Sequence, residues 1–130
     1  MSDPQKRVLL VDDDADFIFQ QKTMLEAAGF GVITAGGRSE AEEILQAHEP
    51  DLAVVDLMME HMDDGFALCH YIKSRRPAMP VIMVTGVTHE TGMEFGHSDP
   101  KGRNWIKADA ILAKPIRFEQ LMNEISRLCG

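Results

Sequence analysis

The chain is 130 residues long, 45% apolar and 26% charged, with a formal net charge of −8 from 21 acidic and 13 basic residues. This length suits one domain, residues 1–130, with a real core, and the acidic balance argues against a nucleic-acid surface, which needs a basic face to neutralise phosphates. No apolar run reaches membrane-spanning length and MSDPQKR lacks the apolar core of a signal peptide, so the expected compartment is the cytoplasm, with Cys69 and Cys129 reduced inside apolar helical patterns.

The first apolar run, Val8-Leu9-Leu10-Val11, is followed at once by four carboxylates in five positions: Asp12, Asp13, Asp14 and Asp16. Asp14 or a neighbour can cap a helix running to about Ala28, with Gly29 as its stop. A weaker strand is predicted over residues 31–35. Ser39 and Glu42 then form an S-x-x-E capping box, and Ala41, Ile44, Leu45 and His48 follow one helical face. The next apolar run, Leu52-Ala53-Val54-Val55, leads into Asp56. Phe66, Cys69 and Ile72 mark a helix that ends before Pro77. Val81-Ile82-Met83-Val84 leads into Thr85. Residues 86–109 are irregular, with four glycines, one proline and the only tryptophan, so the crossover helix expected there is short or displaced. Ile111-Leu112-Ala113 leads into Lys114, and Phe118, Leu121, Met122, Ile125 and Leu128 give the cleanest helical period.

Strands that are continuously apolar are covered on both faces, and strands alternating with helices make β-α-β units. The predicted fold is therefore α/β, a doubly wound five-stranded parallel sheet with an extended crossover before its last strand. Asp12, Asp13, Asp56, Thr85 and Lys114 all fall at carboxyl ends of strands, the edge where such sheets carry their sites. The second strand ends in Ala35-Gly36-Gly37, with nothing reactive, which fits the flavodoxin-like order 2-1-3-4-5. That order brings Asp12, Asp13 and Asp56 into one pocket.

Two like charges about 4 Å apart repel by on the order of 4 kcal/mol at an effective dielectric near 20. Lys114 supplies one compensating charge, whereas a hard divalent cation supplies two and prefers oxygen ligands; partly hydrated Mg²⁺ is the natural candidate. Such an ion implies a phosphate-bearing ligand or a phosphoryl-transfer step. Thr85 could donate to one phosphoryl oxygen, Lys114 could pair with another, and Gly86 leaves room beside them. One carboxylate would be free to act as nucleophile.

At this point LLVDDDADF, LAVVDLMM, VIMVTG and LAKPI resemble, in order and spacing, the signature segments of the receiver domains of two-component response regulators. The resemblance covers essentially the whole chain, in the manner of a stand-alone chemotaxis-type receiver. It implies a signalling switch, not an enzyme acting on a separate substrate. Asp56 would accept the phosphoryl group from a sensor histidine kinase or a histidine phosphotransfer protein. Asp13, Asp56 and the backbone carbonyl of Met58 would be the Mg²⁺ ligands, with Asp12 acting mostly through a metal-bound water. Thr85 and Lys114 would hold phosphoryl oxygens, and Pro115 would follow a cis peptide bond. A downstream protein would read the phosphorylated state, with no direct nucleic-acid contact and no membrane insertion. Met58 and Val87, apolar beside the site, imply slow self-hydrolysis.

Three departures stand out. The aromatic residue usual three places before the lysine is Ile111, so an aromatic rotamer change cannot be the readout. The loop after Asp56 carries Glu60 where a proline is common and has one residue more before the glycine. The tract between Thr85 and Lys114 is longer than usual.

Plainer roles fit the other polar residues. Asp14 and Asp16 suit helix capping and dipole compensation. His89, His97, Glu90, Glu94 and Asp99 lack tight ligand spacing and read as loop residues. Met58, Met59 and Met62 read as packing, Lys101, Arg103 and Lys107 as a solvated basic segment, and Trp105 as either core plug or binding face. Two other functions stay open: a Mg²⁺-dependent phosphatase with an aspartate nucleophile, for which Asp12 and Asp14 have the spacing, and a pseudo-receiver that binds partners without phosphorylation.

Overall fold

The computed structural model describes residues 6–57, 64–85, 108–114 and 116–129. The expectations for Met58, Met59, Glu60 and Met62, for Gly86, Val87 and the histidine, tryptophan and basic residues of the long tract, and for Pro115 lie outside the described residues.

Five strands, β1 (Arg7–Val11), β2 (Gly31–Ala35), β3 (Leu52–Asp56), β4 (Val81–Thr85) and β5 (Ala110–Ala113), form one parallel sheet in the order β2-β1-β3-β4-β5. The order matches the one expected from the placement of the polar residues at the strand ends. Burial explains it: β3 and β4 are buried along their whole length and β1 everywhere but its first residue, whereas the edge strands β2 and β5 are only partly buried. The three four-residue apolar runs are thus the three central strands, while the shorter run Ile111-Leu112-Ala113 lies in the edge strand β5.

Four helices are described: α1 (Ala15–Ala27), α2 (Arg38–Ala47), α3 (Asp64–Arg75) and α4 (Phe118–Cys129). Alternate residues of each strand point to opposite faces, and the core splits accordingly. On one face Leu9, Val11, Ala53, Val55, Val81 and Met83 pack with Ala41 and Leu45 of α2 and Leu68, Cys69 and Ile72 of α3. On the other, Val8, Leu10, Leu52, Val54, Ile82 and Val84 pack with Leu25 of α1 and Leu121 and Ile125 of α4. The sheet is doubly wound, as expected. Cys69 and Cys129 are both free thiols, the first buried and the second partly buried. No described helix is long and apolar enough to cross a membrane.

Helix α1 begins and ends where the sequence indicates. The Asp14 carboxylate accepts from the backbone N–H groups of Asp16 and Phe17, and Gly29, at φ +102°, takes the left-handed conformation that releases the chain into β2. Helix α2 differs. It starts at Arg38 with Gly37 as N-cap, so Ser39 lies inside the first turn and caps nothing, while Glu42 pairs with Arg38 at 3.0 Å. Gly36 and Gly37 let the chain turn two residues earlier, and Glu40 reaches back to accept from the Gly36 N–H at 2.7 Å. A side-chain clamp exists, in a register shifted from the predicted Ser39–Glu42 box. His48, expected on the apolar face, is instead the exposed C-terminal cap. Ile111 is partly buried against the α2–α3 face of the core.

Candidate functional site

Strand register delivers the polar residues to one edge. Val11 pairs with Val55, so Asp12 and Asp56 leave β1 and β3 side by side; Asp56 pairs with Val84, and Thr85 with Ala113. Backbone bonds continue past the strand ends and hold the next residues in step. The Asp12 N–H donates to the Ala35 carbonyl at 3.1 Å, Leu57 N–H to Val84 at 2.7 Å, and Lys114 N–H to Thr85 at 2.8 Å.

Oxygen atoms of Asp12, Asp13 and Asp56 lie within 4.8 Å of one another. Asp12 is 1% exposed and Asp56 5%, whereas Asp13 is exposed. Thr85, 3% exposed, closes the β4 side. The Lys114 ammonium donates to Asp12 Oδ2 at 3.0 Å and stands 3.7 Å from Asp56 Oδ1. The other Asp12 oxygen, Oδ1, accepts from the Asp14 N–H at 2.9 Å. Both Asp12 oxygens are therefore engaged, and Asp56 is the buried carboxylate with the looser hold. The five predicted positions Asp12, Asp13, Asp56, Thr85 and Lys114 converge at the sheet edge; Met58, the remaining one, lies outside the described residues.

The charges show the strain of this gathering. Burial, then the neighbouring Asp12 charge, push the Asp56 carboxyl up from 3.8 to about 6, against the opposing pull of Lys114. Burial also raises Asp12, although the Asp14 N–H and Lys114 counter it. For Lys114 burial disfavours the ammonium, but the hydrogen bond to Asp12 and the charges of Asp12 and Asp56 outweigh it, and its pKa rises. Chemically, the site is an all-oxygen donor set suited to a hard cation, beside a buried carboxylate and a fixed ammonium.

Two residues to which the sequence assigned no role in the site support this geometry. Gly65, in the first turn of α3, lies so close to the end of β3 that a Cβ there would overlap the Asp56 carbonyl oxygen and the Leu57 backbone. Its only trace in the sequence is a glycine after the acidic loop. Phe17 places its ring under the Lys114 ammonium, 4.5 Å from the centroid. A lone aromatic in the first turn of a helix carries no periodic signal of such a contact.

The sequence model for the response regulator receiver domain matches residues 8–126. Among curated proteins, the transcriptional regulatory protein GltR of Pseudomonas aeruginosa is 34% identical over 134 aligned positions, covering 98% of this chain and 50% of GltR. This chain spans about half the length, or less, of the curated relatives it matches first. Among solved structures, a CheY-like response regulator receiver domain protein of Methanospirillum hungatei JF-1 superposes with a TM-score of 0.79 at 28% identity, covering 95% of this chain and 93% of that one. TrrA of Thermotoga maritima, solved with Mg²⁺-BeF, shares the fold with a TM-score of 0.78 at 22% identity, covering 95% and 99%. With its sheet order and acidic edge in place, the chain belongs to the response regulator receiver domain family.

Proposed function

We propose that this receiver domain is a phosphorylation-dependent switch in which Asp56 accepts a phosphoryl group in a Mg²⁺-dependent reaction. The observation that carries the proposal is the meeting of Asp12, Asp13 and Asp56 with Lys114 at the carboxyl edge of the sheet. Asp56 rather than Asp12 is the nucleophile on this reading. Asp12 has one oxygen on the Asp14 N–H and the other on Lys114, which leaves it poorly placed to attack and argues against the phosphatase alternative. An Asp56 oxygen attacks phosphorus as the phosphoryl–nitrogen bond of a phosphohistidine breaks; the histidine takes up a proton and an acyl phosphate remains.

Asp13, Asp56 and the Met58 carbonyl would ligate Mg²⁺, and Asp12, already committed, would contribute through water. The ion, when bound, neutralises charge on the carboxylates and on the transferring group. Thr85 and Lys114 hold the phosphoryl oxygens, and Lys114 has its Asp12 pair to exchange for this contact. The phosphoryl group adds negative charge beside β4 and β5, which shifts a two-state equilibrium toward the form that binds the downstream protein. Self-hydrolysis is slow. The phosphodonor is a histidine kinase or a histidine phosphotransfer protein, and the compartment is the cytoplasm. GltR is named as a transcriptional regulatory protein; the reader of this domain is a downstream protein that binds its phosphorylated form.

The test is mass spectrometry of the intact protein after treatment with a small-molecule phosphodonor, with and without Mg²⁺. One phosphate is expected, dependent on Mg²⁺ and absent from Asp56→Asn. A label that persists in Asp56→Asn and vanishes in Asp12→Asn would hand the site to the phosphatase-like chemistry.

A further inference from the structure

The first turn of α1 and the end of β5 are joined by a closed circuit of contacts. Asp12 Oδ1 accepts from the Asp14 N–H at 2.9 Å, and the Asp14 carboxylate accepts from the Phe17 N–H at 3.3 Å. The Phe17 ring lies 4.5 Å from the Lys114 ammonium, which returns to Asp12 Oδ2 at 3.0 Å. Phe17 is partly buried and also packs against the α1–α4 face of the core.

We propose that Phe17 is a positioning residue, whose ring face holds the Lys114 ammonium over the carboxylate edge so that it meets an incoming phosphoryl group. The inference rests on the reading of Lys114 as a phosphoryl contact. A carboxylate partner at this position would attract the ammonium but would also repel the phosphoryl oxygens. The negative face of an aromatic ring attracts the ammonium without carrying net charge. When Asp12 and Asp56 turn to a divalent cation, Lys114 loses its pull toward both. The ring then remains the direct contact on the helix side, beside the longer-range attraction of the Asp14 carboxylate, and it keeps the long lysine side chain from extending into water.

The test compares Phe17→Leu, Phe17→Tyr and 3,5-difluorophenylalanine at position 17, using Mg²⁺ alone and Mg²⁺ with beryllofluoride as probes. Leucine keeps the burial and loses the ring; tyrosine keeps the ring; difluorination keeps the shape and weakens its negative face. Beryllofluoride affinity is expected to fall about 5- to 30-fold in Phe17→Leu, by a smaller factor in the difluoro protein and less than about twofold in Phe17→Tyr. The Mg²⁺ affinity measured without beryllofluoride stays within about twofold in all three, since the ring faces the ammonium and not the carboxylates. Equal beryllofluoride affinity in the unsubstituted and difluoro proteins overturns the inference, as does a parallel loss of both affinities in Phe17→Leu. Should Phe17→Leu fail to fold, the difluoro comparison decides alone. Unsubstituted protein that ignores beryllofluoride overturns the phosphoryl-acceptor reading, and this inference with it.

Discussion

Replacing Asp56 with asparagine should stabilise the cation-free protein, the reverse of what removal of a buried, lysine-paired side chain normally does. Asp56 is 5% exposed, and its carboxyl sits at about 6 in place of 3.8, with the attraction of Lys114 at 3.7 Å already included in the balance. Because the pKa is raised in the folded state, the unfolded chain releases its proton first. The contribution of Asp56 to stability is fully present below about pH 4 and is lost as pH rises through about 6. Above that, the ionised side chain costs the native state on the order of 3 kcal/mol. Asparagine carries no charge to penalise.

Urea unfolding of both proteins in EDTA, at intervals from pH 4.5 to 8, measures the difference directly. It should be smallest at the acid end, where about a third of the difference is already present, and grow to on the order of 1–3 kcal/mol in favour of Asp56→Asn by about pH 7.5, most of the remaining rise falling below about pH 6. Added Mg²⁺ should stabilise the unsubstituted protein, by about 1.4 kcal/mol at a free concentration ten times its Kd, and should do far less for Asp56→Asn. A variant less stable than its parent in EDTA at pH 7.5, or a difference that does not change with pH, would refute the claim that repulsion and burial dominate at Asp56.

Gly65→Ala should destabilise the protein by about 1–3 kcal/mol and weaken Mg²⁺ binding, because the new Cβ overlaps the backbone of Asp56 and Leu57; unaltered Mg²⁺ affinity would show that α3 does not set the position of Asp56. Lys114→Gln removes the ammonium that now competes with a divalent cation for Asp12 and Asp56. Mg²⁺ should bind on the order of tenfold tighter while phosphorylation by a small-molecule donor slows, a split readable by titration calorimetry and mass spectrometry. Mg²⁺ affinity in the parent should be level above about pH 7 and fall toward tenfold per pH unit below about 6, as protons compete for Asp56; a flat profile from pH 5 to 8 would contradict this.

The parts legible in the sequence were those written as patterns along the chain. Continuous apolar runs marked β1, β3, β4 and β5 as strands, and polar residues directly after those runs located Asp12, Asp56, Thr85 and Lys114. The Asp14 cap and the Gly29 stop were equally readable, since each acts within a few residues of itself. The errors on α2 arose where two local signals competed. Ser39 with Glu42 makes a good capping box on paper, but a glycine pair ahead of it allowed an earlier start, and Glu40 supplied the clamp. The roles of Phe17 and Gly65 were not legible for a different reason. A ring under an ammonium 97 positions along the chain, and a backbone pressed against β3, are facts of tertiary placement with no period, spacing or propensity to announce them.

The sheet itself explains why so much charge can be kept in one place. Asp12 and Asp56 could relieve their repulsion by moving apart, but Asp12 directly follows β1 and Asp56 ends β3, strands buried on both faces and paired in register, Val11 with Val55. Sliding β1 against β3 by one residue would turn both core faces inside out, at a cost far above the few kcal/mol of repulsion at stake. The strain must therefore be relieved by what comes to the site and not by the backbone. Three cations are available in turn: a proton on Asp56 below about pH 6, the Lys114 ammonium at neutral pH, and a divalent ion when one binds. Only the last frees Lys114 from Asp12 while leaving Asp56 ionised and nucleophilic. On this view the domain is held ready by a charge conflict that its own residues relieve only in part, and the proposed dependence on Mg²⁺ would follow from the rigidity of β1 and β3.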